Sequence, residues 1–131
     1  MQKSVTKAKR SPKTSSSEVL SKAIVEGMID KKAQEIAILD LRSIKGAIAD
    51  FFVICTGNSD THVDAISETI EEMVYKSTKQ EPWHREGKIN KEWILLDYVD
   101  VVANVFKSRS RKYYSLEELW GDARITWVDP D

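Results

Sequence analysis

The sequence predicts an α+β domain, a mixed sheet of five strands with two main helices and a small C-terminal one. Three patterns carry that reading. Two stretches repeat apolar residues at three- and four-residue spacing, the mark of an amphipathic helix. Several short runs are β-branched or aromatic and are closed by turn residues. Two of those runs are separated only by Val99-Asp100, which permits an antiparallel hairpin and forbids a parallel crossover.

The elements follow in order. Residues 1–14 carry five basic side chains, no acid and almost no apolar surface, too little to offset the entropy of ordering. They are expected to be a disordered basic tail. Ser15 followed by Glu18 has the spacing of a capping box. Val19, Leu20, Ala23, Ile24, Gly27 and Met28 then mark one helical face that ends near Asp30. The run Ile36 to Leu39 reads as a buried strand, and Phe51 to Thr56 as a second. Gly57-Asn58-Ser59-Asp60 breaks that strand and offers a cap for a long helix. Val63, Ile66, Ile70, Met73 and Val74 line its apolar face, and Asp64, Glu68, Glu71 and Glu72 form an acidic, solvated one. Glu81 to Arg85 suits an edge strand, because Pro82 cannot donate within a central ladder. Trp93 to Tyr98 and Val101 to Phe106 make the hairpin, so the last three strands form a meander, and a short helix is expected at Leu116 to Leu119.

With 131 residues the chain has the length of one domain. Its net charge of −1 hides an asymmetry: the first fourteen residues are +5, leaving 15 basic and 21 acidic residues in the body. A duplex-binding domain has a strongly basic body, so generic nucleic-acid binding is disfavoured. One cysteine, Cys55, forms no internal disulfide and no multi-cysteine zinc site. No apolar stretch approaches the roughly 20 residues of a membrane span. A soluble, cytosolic protein is expected.

The enzymatic reading starts at Gly57 and Ser59, since a turn between strand and helix can offer amides to a phosphate. Nucleotidyltransferases follow such a turn with two carboxylates one residue apart on the next strand. The candidates here, Asp97 and Asp100, are three apart and straddle a turn, so they would not converge on a metal. Cys55 sits in an apolar strand and reads as a small hydrophobe. His62 and His84 have no cysteine cluster beside them, and Asp40 and Asp50 read as turn or cap residues. No catalytic residue, metal site or cofactor is expected.

What remains is surface. Four tryptophans and four tyrosines gather mainly in the second half, and both types are enriched where proteins bind one another. Alternation puts Trp93, Leu95 and Asp97 on one face of their strand and Ile94, Leu96 and Tyr98 on the other. Both faces can be apolar only where a helix or a partner covers one. The run Lys107, Arg109, Arg111, Lys112 reads as a solvated face, with contact to RNA phosphate or acidic protein as the other reading.

Three blocks in register resemble one family, the iojap-like ribosomal silencing factors. They are Asp40-Leu41-Arg42 with residues 49–60, Trp93 to Tyr98 with Asp100-Val101-Val102, and residues 114–122. The likeness covers roughly residues 18–123. It divides the chain into the tail 1–14, a ribosome-binding domain 15–123 and an extension 124–131. It implies a nucleotidyltransferase-like topology without the catalytic carboxylate pair. The function it implies is binding to large-subunit ribosomal protein fourteen, which blocks joining of the subunits and represses translation. A homodimer of the free protein and a role in large-subunit assembly are also implied. Trp93, Leu95, Asp97, Tyr98, Asp100 and Val102 are then the expected docking residues, with Arg109 and Arg111 as second choices for acidic protein or ribosomal RNA. Val99 stands where the family often has Gly, Asn104 where it often has His, and Phe51 where it often has Tyr. The competing reading is a nucleotide-binding enzyme using Gly57, Ser59, Asp97 and Asp100.

Overall fold

The structure is a computed structural model describing residues 15–108 and 123–128. Helix α1, Ser16–Asp30, opens on the expected box: Ser15 Oγ accepts from the Glu18 amide at 3.2 Å, and Glu18 Oε1 accepts from the Ser15 amide at 3.0 Å. Leu20, Ala23, Ile24, Gly27 and Met28 are buried as their spacing predicts, whereas Val19 is exposed. Strands β1, Gln34–Asp40, and β2, Phe51–Gly57, follow. Helix α2, Asp60–Thr78, is capped by Ser59, whose Oγ accepts from the His62 amide, and ends at Lys79 in the left-handed conformation. Three strands complete the meander: β3, His84–Glu86, β4, Trp93–Asp97, and β5, Val101–Lys107.

A sixth strand, β6 (Arg124–Val128), corrects the expected count of five. It comes from the segment read as an extension and pairs antiparallel with β1, Asp40 facing Arg124. As an edge strand it leaves Arg124, Thr126 and Trp127 exposed, so no apolar run announces it. The sheet order is β3-β4-β5-β2-β1-β6, with β2 and β5 parallel at the centre and every other pair antiparallel. The parallel pair is reached through α2 and the meander, the kind of long connection it requires.

Both helices lie on one face. There α1 and α2 pack with Val53, Cys55, Ile94, Leu96 and Val105. Gly27 permits their closest approach, because a Cβ at that position would stand 2.8 Å from the Ile70 Cα. The opposite face is apolar too: Leu39, Phe52, Ile54 and Phe106 form a second cluster with Leu41 and Ala49 of the β1–β2 loop. All seven residues of β2 are buried, the pattern of a strand covered on both sides. Residues 1–14, Arg109, Arg111 and the expected helix at 116–119 lie outside the described residues.

Candidate docking surface

The β4–β5 hairpin holds most of the residues expected to bind, and its two faces divide them. Trp93 and Leu95 are half-buried and pack with the second cluster, where Val102 is buried. The Trp93 ring stacks on Phe106 with centroids 4.9 Å apart and planes inclined by 24°. Its Nε1–H donates to Asn104 Oδ1 at 2.9 Å, and Asn104 Nδ2 donates to the Val102 carbonyl at 3.2 Å. A buried side chain thus fixes the indole on this face. Tyr98 points the other way, into the core beneath the helices, and is buried.

At the hairpin tip, Asp97 turns inward to the chain itself. Its Oδ1 accepts from the Val99 amide at 2.8 Å, an Asx arrangement. The Asp100 amide donates back to the Tyr98 carbonyl at 2.9 Å, which makes Val99, at φ 75°, the centre of a γ-turn. The Asp100 carbonyl accepts from the Asp50 and Phe51 amides and ties the tip to β2. Val99 and Asp100 remain exposed, so the tip offers one apolar and one acidic side chain beside the Trp93–Leu95 face. At the opposite end of the hairpin Lys107 pairs with Asp60 and, at 3.2 Å, with Glu92.

The chemistry weighed against docking finds its groups otherwise engaged. The space above Gly57 is filled by Val63 and Ile66, and a Cβ there would lie 2.9 Å from Val63 Cγ2. Packing therefore accounts for that glycine. Cys55 is fully buried. His62 Nδ1 accepts from the Asn58 amide at 2.9 Å while its Nε2 donates to the Lys31 carbonyl at 2.7 Å, so the ring staples the β2–α2 turn to the end of α1. Among the described residues no three His, Cys, Asp or Glu side chains gather as a metal site. None of their helices is long and apolar enough to cross a membrane.

Two features escaped sequence reasoning. The acidic face of α2 is not simply solvated: Glu71 accepts from Arg85 Nε and Nη2, at 3.0 and 2.8 Å, and Asp64 pairs with Lys91 at 2.7 Å. These pairs bind α2 to the β3–β4 region across more than ten residues, a distance no local spacing rule spans. Second, Arg42 bridges Asp40 and Glu18 while lying over the Phe51 ring. Hydrogen bonds from Arg42 hold the Asp40 carboxyl below its ordinary value, against the opposing effect of burial.

Fold and surface together define an α+β domain with a mixed six-stranded sheet and an aromatic hairpin face. The chain belongs to the ribosomal silencing factor family: the pattern described as ribosomal silencing factor during starvation matches residues 13–131. Ribosomal silencing factor RsfS of Bacillus subtilis is 42% identical over 100 residues, covering 76% of this chain and 83% of that protein. The RsfS of Halalkalibacterium halodurans is 41% identical over 108 residues, covering 82% and 91%. A crystal structure of a Chromobacterium violaceum protein superposes with a TM-score of 0.72 at 28% identity, covering 84% of this chain and 90% of that one. By family, this is a ribosome-associated regulator of translation.

Proposed function

We propose that the protein represses translation by occlusion. It binds large-subunit ribosomal protein fourteen through the hairpin and so denies the small subunit its docking face. No covalent step is involved. The observation that carries this reading is the fixed, half-exposed Trp93, stacked on Phe106 and held by Asn104, with Leu95 on the same face and Val99 and Asp100 exposed at the tip. A pre-set aromatic side chain gives a large contact at small entropic cost, which is why Trp dominates binding hot spots. A patch of about 800 Å² per partner is within reach of a domain this size.

Trp93 and Leu95 touch the partner in this reading, and Asp97 and Asp100 shape the tip beside them. Tyr98 and Val102 support the surface from within the sheet. Arg109 and Arg111 are the second choices, for contact with acidic protein or ribosomal RNA. The free protein pairs with itself in the cytosol, and the same surface serves in large-subunit assembly. The nucleotidyltransferase-like topology implied by the resemblance then supplies a scaffold without its chemistry.

Subunit joining on sucrose gradients tests the proposal. Saturating protein should leave the purified subunits separate, and Trp93→Ala should weaken large-subunit binding by about 1–4 kcal/mol while the domain stays folded. Whole ribosomes forming undiminished at saturation would overturn the occlusion. Saturable binding of nucleotide with magnesium would favour the enzymatic alternative.

A further inference from the structure

The loop between β1 and β2, residues 41–50, is closed on itself. The Leu41 amide donates to the Asp50 carbonyl at 2.8 Å and joins its two ends. Inside it the Ile44 amide donates to the Leu41 carbonyl at 3.0 Å and the Ala47 amide to the Ile44 carbonyl at 3.3 Å, two successive turns. Gly46, in the second of them, stands at φ 84°, which glycine takes without strain. Leu41 and Ala49 are buried in the second cluster, and Ile44 and Ala47 pack against it. Trp93 and Leu95 pack against the same cluster. The loop therefore has a set shape and lies on the sheet face that carries the hairpin's docking residues.

Ile48 departs from this pattern. It follows half-buried Ala47 and precedes buried Ala49, yet 75% of its surface is exposed. A single exposed aliphatic side chain needs no explanation by itself. What singles out Ile48 is its place. The Asp50 and Phe51 amides donate to the Asp100 carbonyl at 2.7 and 3.3 Å, so hydrogen bonds hold the loop to the hairpin tip. Through that contact the Cα atoms of Ile48 and exposed Val99 can stand at most about 18 Å apart. A docking patch of about 800 Å² is roughly 30 Å across. Loop and tip thus fit under one partner. Asp100 lies in the same patch, exposed, and its carboxylate pairs with no cation among the described residues.

We propose that the β1–β2 loop is a second arm of the docking surface, with Ile48 as its contact residue. The proposal rests on the occlusion reading and extends its contact beyond the hairpin. The occupant is the same ribosomal protein, which presents an apolar recess to Ile48 and a basic group to Asp100. Closure of the loop serves this contact, since a side chain held in place before binding loses little freedom in the complex.

Co-sedimentation of the full-length protein with purified large subunits tests it. Ile48→Ser removes the apolar side chain and leaves the hydrogen bonds of the loop in place. At so exposed a position its thermal melt should match that of the natural chain. Its affinity should fall at least about fivefold, less than full burial of an aliphatic side chain can supply. A smaller loss would overturn the proposal.

Trp93→Ala, measured beside it, separates the loop from the reading on which it rests. Weakening in Trp93→Ala without weakening in Ile48→Ser removes the loop and leaves the hairpin contact standing. Binding unchanged in both removes the hairpin reading and the loop's part in it. Weakening in Ile48→Ser alone supports the loop contact and moves the surface away from Trp93. Asp100→Asn reads the charge of the partner: its loss of affinity should be larger at about 0.05 M salt than at about 0.3 M, where screening is stronger. Equal losses at the two salt concentrations would overturn the basic group opposite Asp100.

Discussion

Trp93 Nε1 donates to Asn104 Oδ1 at 2.9 Å, and this bond ties the most prominent aromatic group of the hairpin to a side chain that is 1% exposed. The amide does two jobs, since its nitrogen also donates to the Val102 carbonyl. Asn104→Leu keeps the volume and removes both bonds, leaving the indole N–H without its partner. Removing one partner of a buried bond costs about 1–3 kcal/mol. Urea unfolding should show that loss, and the tryptophan emission should change as the ring is released. Unchanged stability would mean that stacking on Phe106 alone fixes Trp93.

Gly27→Ala sets two effects against each other. Alanine favours a helix over glycine by about 1 kcal/mol. Against this, the new methyl would stand 2.8 Å from the Ile70 Cα and 3.1 Å from its nitrogen, both backbone atoms that cannot swing aside. Overpacking of this kind costs about 1–3 kcal/mol, and contact with main chain belongs at the upper end. Net destabilisation of about 1–2 kcal/mol is expected in a denaturant melt.

Acid should loosen the contact between α2 and β3. Burial would raise the Glu71 carboxyl, but Arg85, with Lys88 near, outweighs it and holds the group below its ordinary 4.5. The stabilisation is therefore complete above pH 4.5 and disappears as pH falls through the lower, folded value. Arg85 is partly exposed, so solvent screening limits the pair to about 1 kcal/mol or less. Arg85→Ala should lower stability at neutral pH and flatten its fall as the pH drops below about 4.5. Parallel curves for the two proteins would separate Glu71 from the acid response.

Elements governed by local rules were legible from sequence. The Ser15–Glu18 box, the Ser59 cap and the tight antiparallel hairpin each depend on residues within a few positions of one another. Strand β6 was not, because its partner β1 lies more than eighty residues away and Arg124 and Thr126 interrupt its apolar residues. Of the docking surface, alternation correctly set Trp93 and Leu95 opposite Tyr98. Asp97 could not be read that way: its role at the Val99 amide arises from the geometry of the turn, which alternation does not describe.

Val99 carries the last prediction. It stands at φ 75°, where an L side chain meets its own backbone at a cost of roughly 1–2 kcal/mol, and β-branching makes the fit worse. The Asp97 carboxylate and the Asp100 amide hold it there, one bonding its N–H and the other closing the turn around it. With 57% of its surface exposed, the side chain contributes little burial in return. Val99→Gly should thus remove strain while adding unfolded-state entropy worth about 0.5–1 kcal/mol, a net gain near 0.5–1 kcal/mol. A rise in melting temperature of about 2–5 °C is the expected outcome. If ribosome binding falls in the same stabilised variant, the valine methyl groups at the hairpin tip are themselves part of the contact. If binding is unchanged, the tip serves only to join β4 to β5, and the Trp93–Leu95 face carries the affinity.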